Sequence, residues 1–130
     1  MAPISASFAL LIGALLTALA INTTRLRLHH GRDRSQGALE QIRRASRAHG
    51  NTLEHGLLVL LLLFFAETHG ASATALCLLG TLFVLARISY VFGMLTRPTS
   101  TPMKIGAGLT YTLEITLLSL LARALLAPAA

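Results

Sequence analysis

Acidic side chains are scarce in this chain: Asp33, Glu40, Glu54, Glu67 and Glu114 are the only five among 130 residues. All charged residues together make up 12%, about half the 25% or so of an ordinary soluble domain. Tryptophan is absent, and aromatic residues of any kind reach only 5%. Cysteine occurs once, at Cys77 inside an apolar run. An intrachain disulfide is therefore excluded, and the redox compartment is not readable from cysteine usage. The first 24 residues carry no charged side chain. A secretory signal peptide needs a positive segment ahead of its apolar run, so Ala18-Leu19-Ala20 is not read as a cleavage site.

What is present is apolar. Hydrophobic residues make up 54% and the mean hydropathy is +0.67, the signature of a membrane protein with room for one domain. In a bilayer each backbone polar group must be paired within a helix or a closed barrel. The periodicity and breaks predict an all-α, integral membrane four-helix bundle, with helices over about 4–26, 38–68, 71–95 and 103–126. A polar loop is expected at 25–39, a short turn at Thr68-His69-Gly70, and a loop at Thr96–Pro102, where two prolines and several hydroxyls end helices. Ten arginines against one lysine, with abundant alanine and leucine, match a GC-rich, bacterial genome.

The net charge of +6 raises the question of nucleic acid, but the placement of the charge answers it. Seven basic residues (Arg25, Arg27, Arg32, Arg34, Arg43, Arg44 and Arg47) fall in one segment between hydrophobic runs. Nucleic-acid binders spread such residues over a folded soluble face. The positive-inside rule puts this segment, and the one with Arg97 and Lys104, in the cytoplasm with both termini outside. Arg123 is the single dissent. The expected location is the bacterial inner membrane. The adjacent His29-His30 is weak evidence for a metal, and no metal site is expected.

The charges inside the hydrophobic helices carry the functional signal, because each costs about 2.5–3.5 kcal/mol near the bilayer centre. Between Glu54 and Glu67 lie twelve residues without a permanent charge, about 18 Å of helix against a hydrocarbon core of about 30 Å. The polar turns before Glu54 must therefore enter the membrane. Glu40, Arg44, Arg47, Asn51 and Glu54 are spaced to share one helical face, as are Arg87, Tyr90, Met94 and Arg97, and Lys104, Tyr111 and Glu114. These faces lie at similar depth and predict a polar cavity open to the cytoplasm. One reading is that the groups only satisfy each other, for instance Glu54 with Arg87. The surplus of arginine favours instead a small anionic ligand with carboxylates or phosphates, which guanidinium grips in bidentate fashion. His55 and His69 read as interfacial packing residues, Glu67 as a residue of the outer interface, and Glu114 as a deep carboxylate with no obvious cation.

Arg47-Ala48-His49-Gly50-Asn51-Thr52-Leu53-Glu54, followed by Ala86-Arg87-Ile88-Ser89-Tyr90-Val91-Phe92-Gly93 and Thr110-Tyr111-Thr112-Leu113, resembles the MAPEG family, the membrane-associated proteins of eicosanoid and glutathione metabolism. The likeness spans roughly residues 6–126. It implies a homotrimer with glutathione bound between subunits at the cytoplasmic side. By position, Arg47, Asn51 and Glu54 would hold the charged ends of glutathione, and Arg87, Tyr90 and Tyr111 would complete the site. The implied chemistry is attack of the glutathione thiolate on lipophilic electrophiles, or reduction of lipid hydroperoxides, with the second substrate arriving through lipid. Two departures stand out: Met94 replaces a second tyrosine of many relatives, and the thiol-activating arginine after helix three has only Arg97, or less closely Lys104, as a counterpart. Arg97 and Tyr90 are the candidate catalytic residues. The alternative is a family member that binds a thiol or another small anion in a structural or sensory role. A four-helix multidrug exporter fits less well, since the first helix has no carboxylate, tryptophan is absent and the polar face is basic.

Overall fold

A computed structural model describes residues 2–33 and 35–126 and contains four α-helices: α1 (Pro3–His30), α2 (Gln36–Thr68), α3 (Ala73–Thr96) and α4 (Thr101–Leu126). No strand occurs among the described residues, and all four helices are long and apolar enough to cross a membrane. Arg34, one of the seven clustered basic residues, lies outside the described residues. The helices alternate in direction. α2 and α3 form the central pair, with α1 packed on both from one side and α4 on both from the other.

The loops are shorter than the sequence reading of 25–39 and 96–102 as loops. α1 continues through Arg25, Arg27 and His29 to His30, because polar residues do not break a helix and the first breaker is Gly31, at φ +50°. Its polar last turns find partners: Arg27 Nη2 donates to Ser46 Oγ at 3.3 Å, and His30 Nε2 meets Gln41 Oε1 at 3.0 Å. α2 starts at Gln36, its N-cap Ser35 accepting the Ala38 N–H at 3.3 Å. Asp33 in turn accepts the Ser35 N–H and hydroxyl, which holds its carboxyl below the usual carboxylate range. At the other loop α4 begins at Thr101, with Pro102 in its first turn, where the missing N–H costs nothing.

α1 has no side-chain N-cap of its own. Its first turn is capped from the far end of α2 by Glu67, whose two carboxylate oxygens accept the Ile4 and Ser5 N–H groups, each at 2.8 Å. A carboxylate suits the positive end of a helix dipole. Glu67 is thus a structural clamp at the end of the bundle away from the basic loops.

The core under the membrane surface is built from Phe8 and Ile12 of α1, Val59 and Leu63 of α2, Leu76 and Phe83 of α3, and Leu113 and Leu117 of α4. Leu10, Leu57, Leu61, Leu78, Phe92 and Ile115 stay exposed on the outer faces, as expected where lipid or another apolar surface covers them. α3 and α4 approach closely through small residues. A methyl group added at Gly106 would lie 2.5 Å from the Ala86 carbonyl oxygen and 2.6 Å from the Tyr90 nitrogen, whereas one at Gly108 would meet nothing within 4 Å. Gly106→Ala should therefore destabilise the bundle by about 1–3 kcal/mol and Gly108→Ala should leave it unchanged or slightly firmer. Thermal unfolding of the detergent-solubilised variants checks the contrast, and equal effects would sink this account of the α3–α4 contact.

Candidate functional site

Length places the site in depth. A hydrocarbon core takes about 20 helical residues, and 20 counted back from Glu67 reach Ala48. The first turns of α2 therefore project beyond the core, Arg47 stands at its boundary, and Asn51 and Glu54 lie inside it. At that boundary α2 and α3 enclose a groove of about 400 Å³ lined by Arg47, Gly50, Asn51, Glu54, Tyr90 and Met94, a size in the range of about 300–1,000 Å³ usual for small-molecule sites. Tyr90 and Met94 of this lining also belong to a small packed cluster with Leu19, Ala48 and Val91. Arg47 and Glu54 are exposed along the groove and offer a cation and an anion two turns apart.

Arg87 does not line this groove; it is the largest fully buried side chain and sits behind it. Its Nη2 donates to Asn51 Oδ1 at 2.8 Å and to Thr52 Oγ1 at 3.2 Å, and its Nη1 donates to Thr110 Oγ1 at 3.2 Å. The guanidinium lies 4.3 Å from the centre of the Tyr90 ring, a cation–π contact. Its Nε has no hydrogen-bond partner among the described residues. The pairing of Glu54 with Arg87, weighed as one way the groups could satisfy each other, is not formed among the described residues; Arg87 bonds to Asn51 instead. That bond has a chemical consequence. A guanidinium is donor-only, so the Asn51 oxygen must face it and the Asn51 NH2 is turned away, available to an acceptor on a ligand.

Other expected residues fall elsewhere. Glu40 binds Arg43 and, at 3.0 Å, Arg44, whose Nη1 also donates to the Thr96 carbonyl at 3.1 Å. This network lies in the first turns of α2, beyond the groove lining. Arg97 is exposed in the extended residue that ends α3, and neither it nor Lys104 lines the groove. Tyr111 also lies outside the groove lining, half-exposed on α4, with its ring edge-to-face against His55 at 5.3 Å between centroids.

Glu114, read as a deep carboxylate with no obvious cation, has a histidine for its partner. Glu114 is buried, and its Oε1 meets His55 Nδ1 at 2.7 Å. The reading of His55 as simple interfacial packing is corrected with it. The signal was weak but present: His55 is four residues after Asn51, and Glu114 is four after Thr110, so both extend the face that holds Arg87. Among the described residues, no group of three or more histidine, cysteine or acidic side chains is placed to hold a metal.

The family model for the MAPEG family matches residues 5–126. The chain belongs to the MAPEG family. Among curated proteins it is 27% identical over 90 residues to the inner membrane protein YecN of Escherichia coli strain K12, covering 69% of each chain. The same protein from Escherichia coli O6:H1 matches with the same identity and coverage. In this member the helix-two motif supplies the groove wall, and the arginine of the helix-three motif serves as its buried support.

The burial of Arg87 and the exposure of Arg47 predict opposite consequences. Arg87→Ala leaves Asn51, Thr52 and Thr110 without their shared donor in a buried place and should cost about 2–4 kcal/mol. Arg47→Ala should change stability by less than about 0.5 kcal/mol. Thermal unfolding in one detergent compares them directly; a stable Arg87→Ala protein would contradict the supporting role.

Proposed function

We propose that the groove is a glutathione-binding site and that the protein is a glutathione transferase or peroxidase acting on lipophilic electrophiles or hydroperoxides within a bacterial inner membrane. The observation that carries this reading is the donor and acceptor pattern of the groove. A guanidinium at Arg47 and an outward-turned amide at Asn51 suit the carboxylates of a small peptide, while Glu54 suits an ammonium. Glutathione carries two carboxylates, one ammonium and a thiol, and its length matches a site two helical turns long. Family membership favours the same ligand, and the exposed apolar surface beside the groove leaves a path for a second substrate from lipid.

In this reading the basic loops face the cytoplasm, where glutathione is available, and both termini lie on the other side. The inner-membrane location rests on the related YecN protein. The groove has one wall from α2 and one from α3, and its remaining side is open. A homotrimer would close it with a neighbouring copy, in which Tyr111 or Arg97 of that copy would meet the ligand.

A second reading, thiol or anion binding without turnover, is favoured by one observation. Met94 occupies the groove where a hydroxyl would help catalysis, and no second cation beside Arg47 lines it. Titration calorimetry of the purified, solubilised protein with glutathione separates binding from turnover when paired with an assay on a model electrophile. Saturable binding weakened at least tenfold in Arg47→Ala is expected, with conjugation by the unaltered protein. Binding without conjugation selects the second reading, and absence of binding removes both. Native mass spectrometry of the same sample should give three chains per particle.

A further inference from the structure

We propose that the end of the bundle opposite the groove carries a second site, which holds the headgroup of an anionic phospholipid whose head is uncharged and hydroxylated, as glycerol is. The proposal is independent of what binds in the groove. Its starting point is Arg123, the basic residue that the positive-inside rule leaves unexplained.

α4 runs back along α3, with Gly106 against Ala86 and Tyr90. Arg123 follows Gly106 by 17 positions, about 25 Å farther along the helix, which brings it level with the start of α3. A hydrocarbon core is about 30 Å thick, so a residue this far from the rim at the groove stands at the other rim. There the α2–α3 turn and the last turns of α4 enclose a cavity of about 570 Å³, whose lining includes His69, Ser72, Thr116, Ser119, Leu120 and Arg123. The turn is held by its own backbone. Gly70, at φ +78°, donates to the Glu67 carbonyl at 3.2 Å, and Ala71 donates to the Ala66 carbonyl at 3.0 Å. This is a Schellman ending of α2, so one wall is fixed before any ligand arrives.

The polar groups of the cavity divide into donors and acceptors. Thr116 and Ser119 give their hydroxyl protons to the carbonyls of Thr112 and Ile115, each at 2.8 Å, and toward a ligand they can only accept. His69 Nδ1 donates to the Phe65 carbonyl at 2.8 Å, which leaves the other ring nitrogen for a ligand. The Ser72 hydroxyl makes no capping bond. Arg123 is exposed and takes no part in any ion pair among the described residues.

This set selects its occupant. Arg123 and Ser72 suit the oxygens of a phosphodiester, while Thr116 and Ser119 suit the hydroxyls of its head. No carboxylate among the described residues lines the cavity, so an ammonium head would meet a cation with no anion to balance it. That disfavours ethanolamine and choline. A free phosphate would bring its whole charge and hydration shell to a cleft with one guanidinium. A lipid phosphodiester carries one charge and is held at this depth by its chains. Ile115 and Leu118, exposed on the bilayer side of Arg123, give those chains an apolar surface.

The test uses the full chain in a zwitterionic detergent, with thermal unfolding followed during titration with phosphatidylglycerol, phosphatidylethanolamine or inorganic phosphate. Phosphatidylglycerol should raise the unfolding midpoint saturably, and the other two should not. Arg123→Gln should leave the lipid-free midpoint unchanged, since the residue is exposed. It should raise the phosphatidylglycerol concentration needed about tenfold, the loss of one charge-assisted contact. Arg25→Gln, at the basic end, should respond as the unaltered protein does. Equal weakening in both variants would mean diffuse attraction to basic residues and overturn the site, as would a normal response in Arg123→Gln. An equal response to inorganic phosphate would overturn the lipid in favour of a soluble anion. A change in mass per particle in Arg123→Gln, whatever lipid is added, would overturn it in favour of contact between copies. Phosphatidylglycerol with a photoreactive head needs no variant: its crosslinks should fall within residues 69–72 or 115–124. Crosslinks confined to residues 25–47 would count against the proposal.

Discussion

The fold depends on a single guanidinium that cannot leave. Arg87 is fully buried within a membrane bundle and binds side chains of both α2 and α4 while belonging to α3. A buried cation without partners carries a severe desolvation cost. Here three neutral oxygens and the face of Tyr90 meet it, and a carboxylate, Glu114, sits one turn beyond Thr110. The helices must keep their relative rotation and height for those contacts to exist. Whatever binds in the groove in front of Arg87 meets a wall whose Asn51 is already turned, which lowers the entropy cost of recognition.

Close backbone approach makes that contact possible. Thr110 reaches Arg87 because α4 lies tight against α3, and α4 lies tight because Gly106 has no side chain against Ala86 and Tyr90. Small residues are a usual route to contact between membrane helices, where lipid removes the hydrophobic drive to associate. Thr110 also donates to the Gly106 carbonyl at 2.8 Å, so its hydroxyl oxygen is oriented to accept from Arg87. Packing and site chemistry are thus carried by the same two turns of α4.

Much of this was legible in the sequence for a physical reason. Hydrophobic runs bounded by proline, glycine and charge give the number of membrane helices. The polar faces of α2 and α3 were visible because charge in lipid must be grouped, and Arg47, Asn51, Glu54 and Tyr90 do share one groove. Two features did not follow from spacing. Helical periodicity gives an angle around one axis but not which neighbour occupies that angle, so it could not reveal that Arg87 supports Asn51 from behind the groove and that Tyr111 packs on His55 outside it. The Glu114–His55 bond joins residues 59 positions apart, and histidine alone carries no charge signal that would mark it. The Glu67 clamp on α1 was hidden likewise, since an absent cap at Ala2-Pro3 points to no particular donor of the missing acceptor.

The depth of the groove follows from a conflict between length and composition. The twelve residues from His55 to Ala66 are too few to cross the hydrocarbon core, so α2 must carry polar turns into it. Those turns are tolerable only if covered, and α3 and α4 cover them on the core side, where Thr52 and Asn51 meet Arg87. Arg47 and Glu54 remain exposed on the opposite edge. Two opposite charges at the rim of a bilayer, uncovered by their own chain, need water, a ligand or a neighbouring subunit. Water reaches the groove from the end at the bilayer rim, where Arg47 stands.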